Sequence, residues 1–152
     1  MKKEPVLHIK ELAEPIVQQQ DMFLVDVEIK QENMSVVWIL VDSETEDVKV
    51  DRCSKISREL SYLVEENEIF NTPYRLNVSS PGLSRPLSDV RQYSKNKGRK
   101  VLVKYKSDEG FEKVEGTLTQ ISPEQIYVEV DKGIGAEILF EDIVETKIVP
   151  KI

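Results

Sequence analysis

Glycine, cysteine and histidine are scarce in this chain of 152 residues, and each scarcity excludes something. Of the six glycines only Gly82 falls within residues 1–90. That half therefore has no room for a glycine-rich phosphate cradle or for a Gly-x-x-Gly clamp on nucleic acid. Cys53 is the only cysteine and His8 the only histidine, so no internal disulfide forms and no metal-ligand spacing is present. The 28 acidic residues show no spacing that picks out a catalytic pair. These absences argue against an enzyme and predict no cofactor and no metal. No apolar run approaches the roughly 18 residues of a membrane span. The start, Met1-Lys2-Lys3-Glu4-Pro5, lacks the apolar core of a signal peptide. The expectation is a cytoplasmic, monomeric protein with no membrane contact.

Charge is plentiful and unevenly spread. The net charge is −7. Residues 1–90 carry 10 Lys/Arg against 17 Asp/Glu, whereas residues 91–152 carry 11 of each. Within the second half, Arg91, Lys95, Lys97, Arg99, Lys100, Lys104 and Lys106 follow one another with no acid between them. An acidic half joined to a locally basic stretch suits a partner bearing both signs of charge, such as a ribonucleoprotein surface; a solvated charge run is the plainer alternative.

Periodicity gives the elements. Val6 to Gln20 predicts a helix with Leu7, Leu12, Ile16 and Val17 as its stripe, kinked or broken at Pro15. Asp21 to Lys30 alternates, with Phe23, Val25, Val27 and Ile29 on one side and Leu24, Asp26 and Glu28 on the other, and Met34 to Val41 pairs back as a hairpin with Trp38 in the sheet core. Val50 to Glu65 is the strongest helix, its face traced by Val50, Cys53, Ile56, Leu60 and Val64. Cys53 on that face reads as core rather than as a reactive thiol. Pro73 to Ser79 is a third strand. The order αββαβ predicts an α+β layer over residues 1–87. Residues 88–97 form a linker with a short helix. From Gly98 to Ile152, five short strands near Val101–Val103, Gly116–Ile121, Gln125–Val130, Ala136–Phe140 and Ile143–Val149 predict a small all-β barrel.

Between the halves stands Leu76-Asn77-Val78-Ser79-Ser80-Pro81-Gly82-Leu83-Ser84-Arg85-Pro86-Leu87. Pro81 and Pro86 fix their own φ and push Ser80 and Arg85 toward extended backbone, while Gly82 admits positive φ. A segment so constrained loses little entropy on docking.

This run, with Asp51-Arg52-Cys53-Ser54-Lys55-Ile56-Ser57-Arg58-Glu59 before it and Gly98-Arg99-Lys100-Val101, Gly116-Thr117-Leu118 and Glu137-Ile138-Leu139-Phe140-Glu141-Asp142-Ile143 after it, resembles the RimP family of ribosome maturation factors over roughly the whole chain. The resemblance implies a KH-like N-terminal α/β domain and a C-terminal SH3/Sm-like barrel. It implies a non-enzymatic assembly factor that binds the immature small ribosomal subunit, rRNA included, and helps place ribosomal protein S12. Two positions depart from the family habit. Ser84 stands where Asp is common, removing a neighbour that would hold Arg85. Lys49 stands where Thr is common, so the second helix lacks its expected N-cap, which Asp47 would have to supply.

The expected ribosome-binding residues are Ser79, Ser80, Gly82, Arg85, Lys95, Lys97, Arg99, Lys100 and Lys104. Arg85 has two uses open to it: a bidentate fork on phosphate, or a structural tie to carbonyls. Ser79 and Ser80 either present hydroxyls and N–H groups to an anion or stabilise the turn. Lys100, Leu102 and Lys104 share one face of a strand, read as a barrel edge whose lysines either meet rRNA or prevent edge pairing. Tyr93 and Tyr105 pack in a core or stack on bases. The acids Glu44, Glu46, Asp47, Glu65, Glu66 and Glu68 are a face for a basic ribosomal protein or simply solvated. The alternative function is a general RNA-binding module acting on free transcripts, which the missing Gly-x-x-Gly loop disfavours.

Overall fold

The computed structural model describes residues 4–45, 47–81 and 85–150, and the chain divides into two units, Met1–Pro81 and Gly82–Ile152. The first unit runs α1 (Pro5–Gln19), β1 (Phe23–Gln31), β2 (Ser35–Asp42), α2 (Val50–Glu66) and β3 (Tyr74–Ser79), the αββαβ order. The strands lie in the order β1-β2-β3; β1 and β2 form an antiparallel hairpin, and β3 joins β2 in parallel after the α2 crossover. One sheet face carries Val27, Val37, Ile39 and Val41 against Ile9, Ala13 and Val17 of α1 and Cys53, Ile56, Leu60 and Val64 of α2. Each such aliphatic side chain, once buried, contributes roughly 2 kcal/mol.

The helix α1 is not broken at Pro15, because the ring lies on the exposed side, where water can serve the carbonyl that loses its donor. Three details differ from the sequence reading. A bulge between Leu24 and Asp26 switches the face of β1, so Leu24 packs on the helix-covered core and Phe23 stands opposite Asp42 on the other face. Trp38 pairs with Glu28 and Asn77 on that second face and is half-buried rather than central. Val50 is 82% exposed, since it is the first residue of α2 and precedes the first turn that meets the sheet. Lys49 occupies the N-cap position without a side-chain cap bond, and Asp47 lies two residues before it.

The second unit is a five-stranded antiparallel sheet: β4 (Lys100–Ser107), β5 (Gly110–Ile121), β6 (Gln125–Asp131), β7 (Ile134–Leu139) and β8 (Ile143–Ile148), in the order β7-β6-β5-β4-β8. Two-residue connections at Asp108-Glu109 and Lys132-Gly133 make the first and third hairpins, and Gly133 takes φ +72°, as a tight turn demands. The core gathers Val101, Val103, Leu118, Ile126, Val128, Ile138 and Ile148 around Tyr93. Residues 88–97 form two single 3-10 turns, Val90–Gln92 and Ser94–Asn96, opened by a capping box between Asp89 and Gln92. They belong to this core: Leu87 N donates to Thr146 O at 2.8 Å, and Tyr93, 3% exposed, lies edge-on to Phe140 with ring centroids 5.1 Å apart.

Candidate functional site

The basic stretch is held rigidly from below. Asn96 is buried and its Nδ2 donates to Gln92 O at 2.6 Å. Gly98, at φ +92°, turns the chain so that its N–H donates to Leu118 O at 2.7 Å, and Leu118 N donates back to Arg99 O at 2.9 Å. Lys97 and Arg99, both exposed, flank this pinned backbone, and Lys95 is half-buried one turn earlier. Cations fixed at their Cα atoms lose only side-chain freedom when they meet phosphate.

Beyond Arg99 the chain enters β4, whose even-numbered residues point away from the core. Lys100 Nζ lies 3.6 Å from Glu115 Oε2, and Lys104 Nζ sits 5.4 Å from the centre of the Phe111 ring, a cation–π contact. The strand is not an edge. It pairs with β5 on one side and β8 on the other, so its lysines do not serve to block edge pairing. Local sequence shows which face a lysine takes but not which strands flank it.

The turn residues are placed differently. Ser79 ends β3, and its Oγ donates to Ser80 O at 3.2 Å, a local turn contact; Ser80 is exposed. Arg85 is half-buried. Gly82, Leu83 and Ser84 lie outside the described residues, as does Glu46 of the acidic face. Tyr93 is committed to the core, and Tyr105 is half-buried against it with its hydroxyl donating to Glu112 at 3.1 Å.

The acidic residues of α2 adjoin a feature the sequence reading missed. An open groove of about 720 Å³ is lined by Tyr62, Glu65, Phe70, Pro73, Tyr74 and their neighbours. Phe70 and Tyr74 stack with centroids 4.9 Å apart, Tyr62 is 67% exposed, and the Tyr74 hydroxyl donates to Glu65 Oε1 at 3.1 Å. Burial, then the Glu65 hydrogen bond and charge, push the Tyr74 phenol up to about 12. No signal in the sequence joined these residues, because the loop before β3 brings Phe70 and Pro73 to the end of α2 only in the fold. Cys53 is buried, and burial, followed by the charge of Asp51, raises its thiol above the ordinary value. Among the described residues, no cluster of His, Cys, Asp and Glu is placed to hold a metal ion, and no helix is long and apolar enough to cross a membrane.

The resemblance rests chiefly on the run Ser79-Ser80-Pro81-Gly82-Leu83-Ser84-Arg85-Pro86-Leu87, together with residues 51–59 on α2 and residues 98–101 at the start of β4. A family model described as the RimP N-terminal domain matches residues 12–84, which takes in most of α1, the whole three-stranded sheet and the start of the turn. Over residues 12–84 the chain thus matches the N-terminal domain of the RimP family of ribosome maturation factors.

Proposed function

We infer that the protein is a non-enzymatic assembly factor that binds the immature small (30S) ribosomal subunit in the cytoplasm, as a monomer, and assists placement of ribosomal protein S12. The match of residues 12–84 to the RimP N-terminal domain carries this reading. On it, the first unit is KH-like and the five-stranded sheet of the second closes as an SH3/Sm-like barrel. Ser79, Ser80, Gly82 and Arg85 of the turn, with Lys95, Lys97, Arg99, Lys100 and Lys104, form the particle-binding set. The acidic, aromatic groove around Tyr62, Phe70 and Glu65 suits a basic ribosomal protein, because carboxylates at an apolar groove favour lysine- and arginine-bearing segments. The mechanism is differential binding. A factor that holds one arrangement of rRNA and protein more tightly than its competitors shifts the population toward it without chemistry.

Co-sedimentation with small subunits from a strain lacking the protein tests the reading. Binding should weaken as salt rises, and replacing Lys97, Arg99 and Lys100 together should weaken it and lower the salt dependence by roughly one unit of slope per lost phosphate contact. Arg85→Ala should weaken it as well. Absence of a complex at low salt would refute the assignment.

A further inference from the structure

The outward face of β5, β4 and β8 brings together cations that lie far apart in sequence. Cross-strand register sets it out in rows: Thr117 beside Lys100; Glu115, Leu102 and Lys147; Lys113, Lys104 and Glu145; Phe111 beside Lys106. Five lysines thus share a face with two acids. Both acids are engaged by lysines, Glu115 with Lys100 at 3.6 Å and Glu145 with Lys147 at 3.2 Å, although Glu145 also stands opposite Lys104 in the register. Lys104, Lys106 and Lys113 have no ion-pair partner among the described residues.

Two features of this face cost stability. Lys104 and Lys113 are directly opposed across the ladder, and like charges so placed repel. Phe111 is 64% exposed beside them, with the Lys104 ammonium over its ring. A shallow depression of about 200 Å³ lies between Leu102, Lys104, Lys113, Glu145 and Lys147. Unpaired cations around an accessible aromatic ring are what a single strand of nucleic acid requires: phosphate contacts from the lysines and a stacking platform for one base. A folded acidic protein would match the charge but has no base to lay on the ring.

We propose that this face is a single-stranded RNA site in which Lys104, Lys106 and Lys113 contact phosphates and Phe111 stacks on a base. The proposal deepens the reading of the chain as a ribosomal-particle binder and rests on it for the source of the RNA. It adds Phe111, Lys106 and Lys113 to the expected contacts.

The full-length chain should be titrated with a labelled single-stranded oligoribonucleotide of mixed sequence at several salt concentrations, beside co-sedimentation with small subunits. Replacing Lys104, Lys106 and Lys113 by Ala should weaken oligonucleotide binding roughly tenfold or more and reduce the salt slope by about two. Phe111→Ala should weaken it roughly fivefold or more while leaving the slope unchanged. The triple Lys→Arg variant should restore binding, and circular dichroism should show every variant folded, since the side chains are at the surface. No wild-type binding to the oligonucleotide, unchanged affinity in the Ala variants, or an equal loss toward polyglutamate overturns the proposal. Wild-type chain that binds the oligonucleotide but ignores the particles defeats the broader reading alone; particle binding that survives both Ala variants defeats this face alone.

Discussion

The Tyr93 hydroxyl donates a 2.8 Å hydrogen bond to Thr146 Oγ1, and both residues are buried. It fastens the turns after Asp89 to the last strand of the second unit, beside the Leu87 N–H bond to the Thr146 carbonyl. Tyr93→Phe leaves the Thr146 hydroxyl buried without this partner and should cost about 1–2 kcal/mol in denaturant unfolding. Adding Thr146→Val to that variant should recover part of the loss. A double-mutant cycle with no coupling would show that the bond contributes nothing.

Alkaline pH should destabilise the chain through its tyrosines. Tyr74 is raised from 10.0 to about 12, and Tyr93 is raised by burial, the bond to Thr146 acting the other way. A phenol whose folded pKa exceeds its unfolded one contributes stability that is complete below 10.0 and is lost as pH climbs through the folded value. Unfolding midpoints should therefore fall above that point, and Tyr74→Phe should flatten the decline. Phenolate absorbance gives an independent check.

At the acid end the direction reverses. The Arg91 guanidinium, bonded to both Asp89 oxygens at 3.0 and 2.8 Å, lowers the Asp89 carboxyl below its ordinary 3.8, against an opposing push from burial. This contribution is present above 3.8 and fades as pH falls through the folded value. Asp89→Ala also removes the acceptor for Arg91 N, and should cost about 1 kcal/mol at neutral pH by thermal unfolding.

Gly116 should tolerate no side chain. A Cβ there would meet the Glu129 carbonyl carbon at 2.9 Å and lie closer still to its oxygen, both being backbone atoms of the neighbouring strand β6. Gly116→Ala should destabilise by about 2 kcal/mol or more, read as a drop in the unfolding midpoint. An alanine variant as stable as wild type would mean that β5 and β6 separate freely.

Cys53, buried in the α1–α2 core with a raised thiol pKa, should react with a thiol reagent no faster than the first unit opens. Labelling rates that track denaturant concentration bear this out; rapid labelling of the native chain contradicts it.

What the sequence disclosed was local. The spacing of Cys53, Ile56, Leu60 and Val64 exposes α2, because that signal lies within one element. The errors came where one element depends on another. A bulge after Leu24 puts Leu24 rather than Phe23 on the helix face while Val27 and Ile29 keep the predicted one, and alternation alone cannot reveal an inserted residue. Strand β4 looked like an edge because its companion β8 lies almost forty residues later. The basic site was half legible for the same reason: Lys97, Arg99 and Lys100 follow one another, whereas Lys113 and Phe111 reach Lys104 only through the register of β5.

Both units finish on a strand whose neighbour was made long before. The parallel partner of β2 arrives only after the whole of α2, and β8 returns to β4 past three intervening strands. During synthesis each sheet therefore lacks one strand, the third of three or the fifth of five, until its last segment has emerged from the exit tunnel. A nascent chain stalled before Tyr74 or before Ile143 leaves a bare strand exposed, and the folding of each unit is timed by its own final stretch.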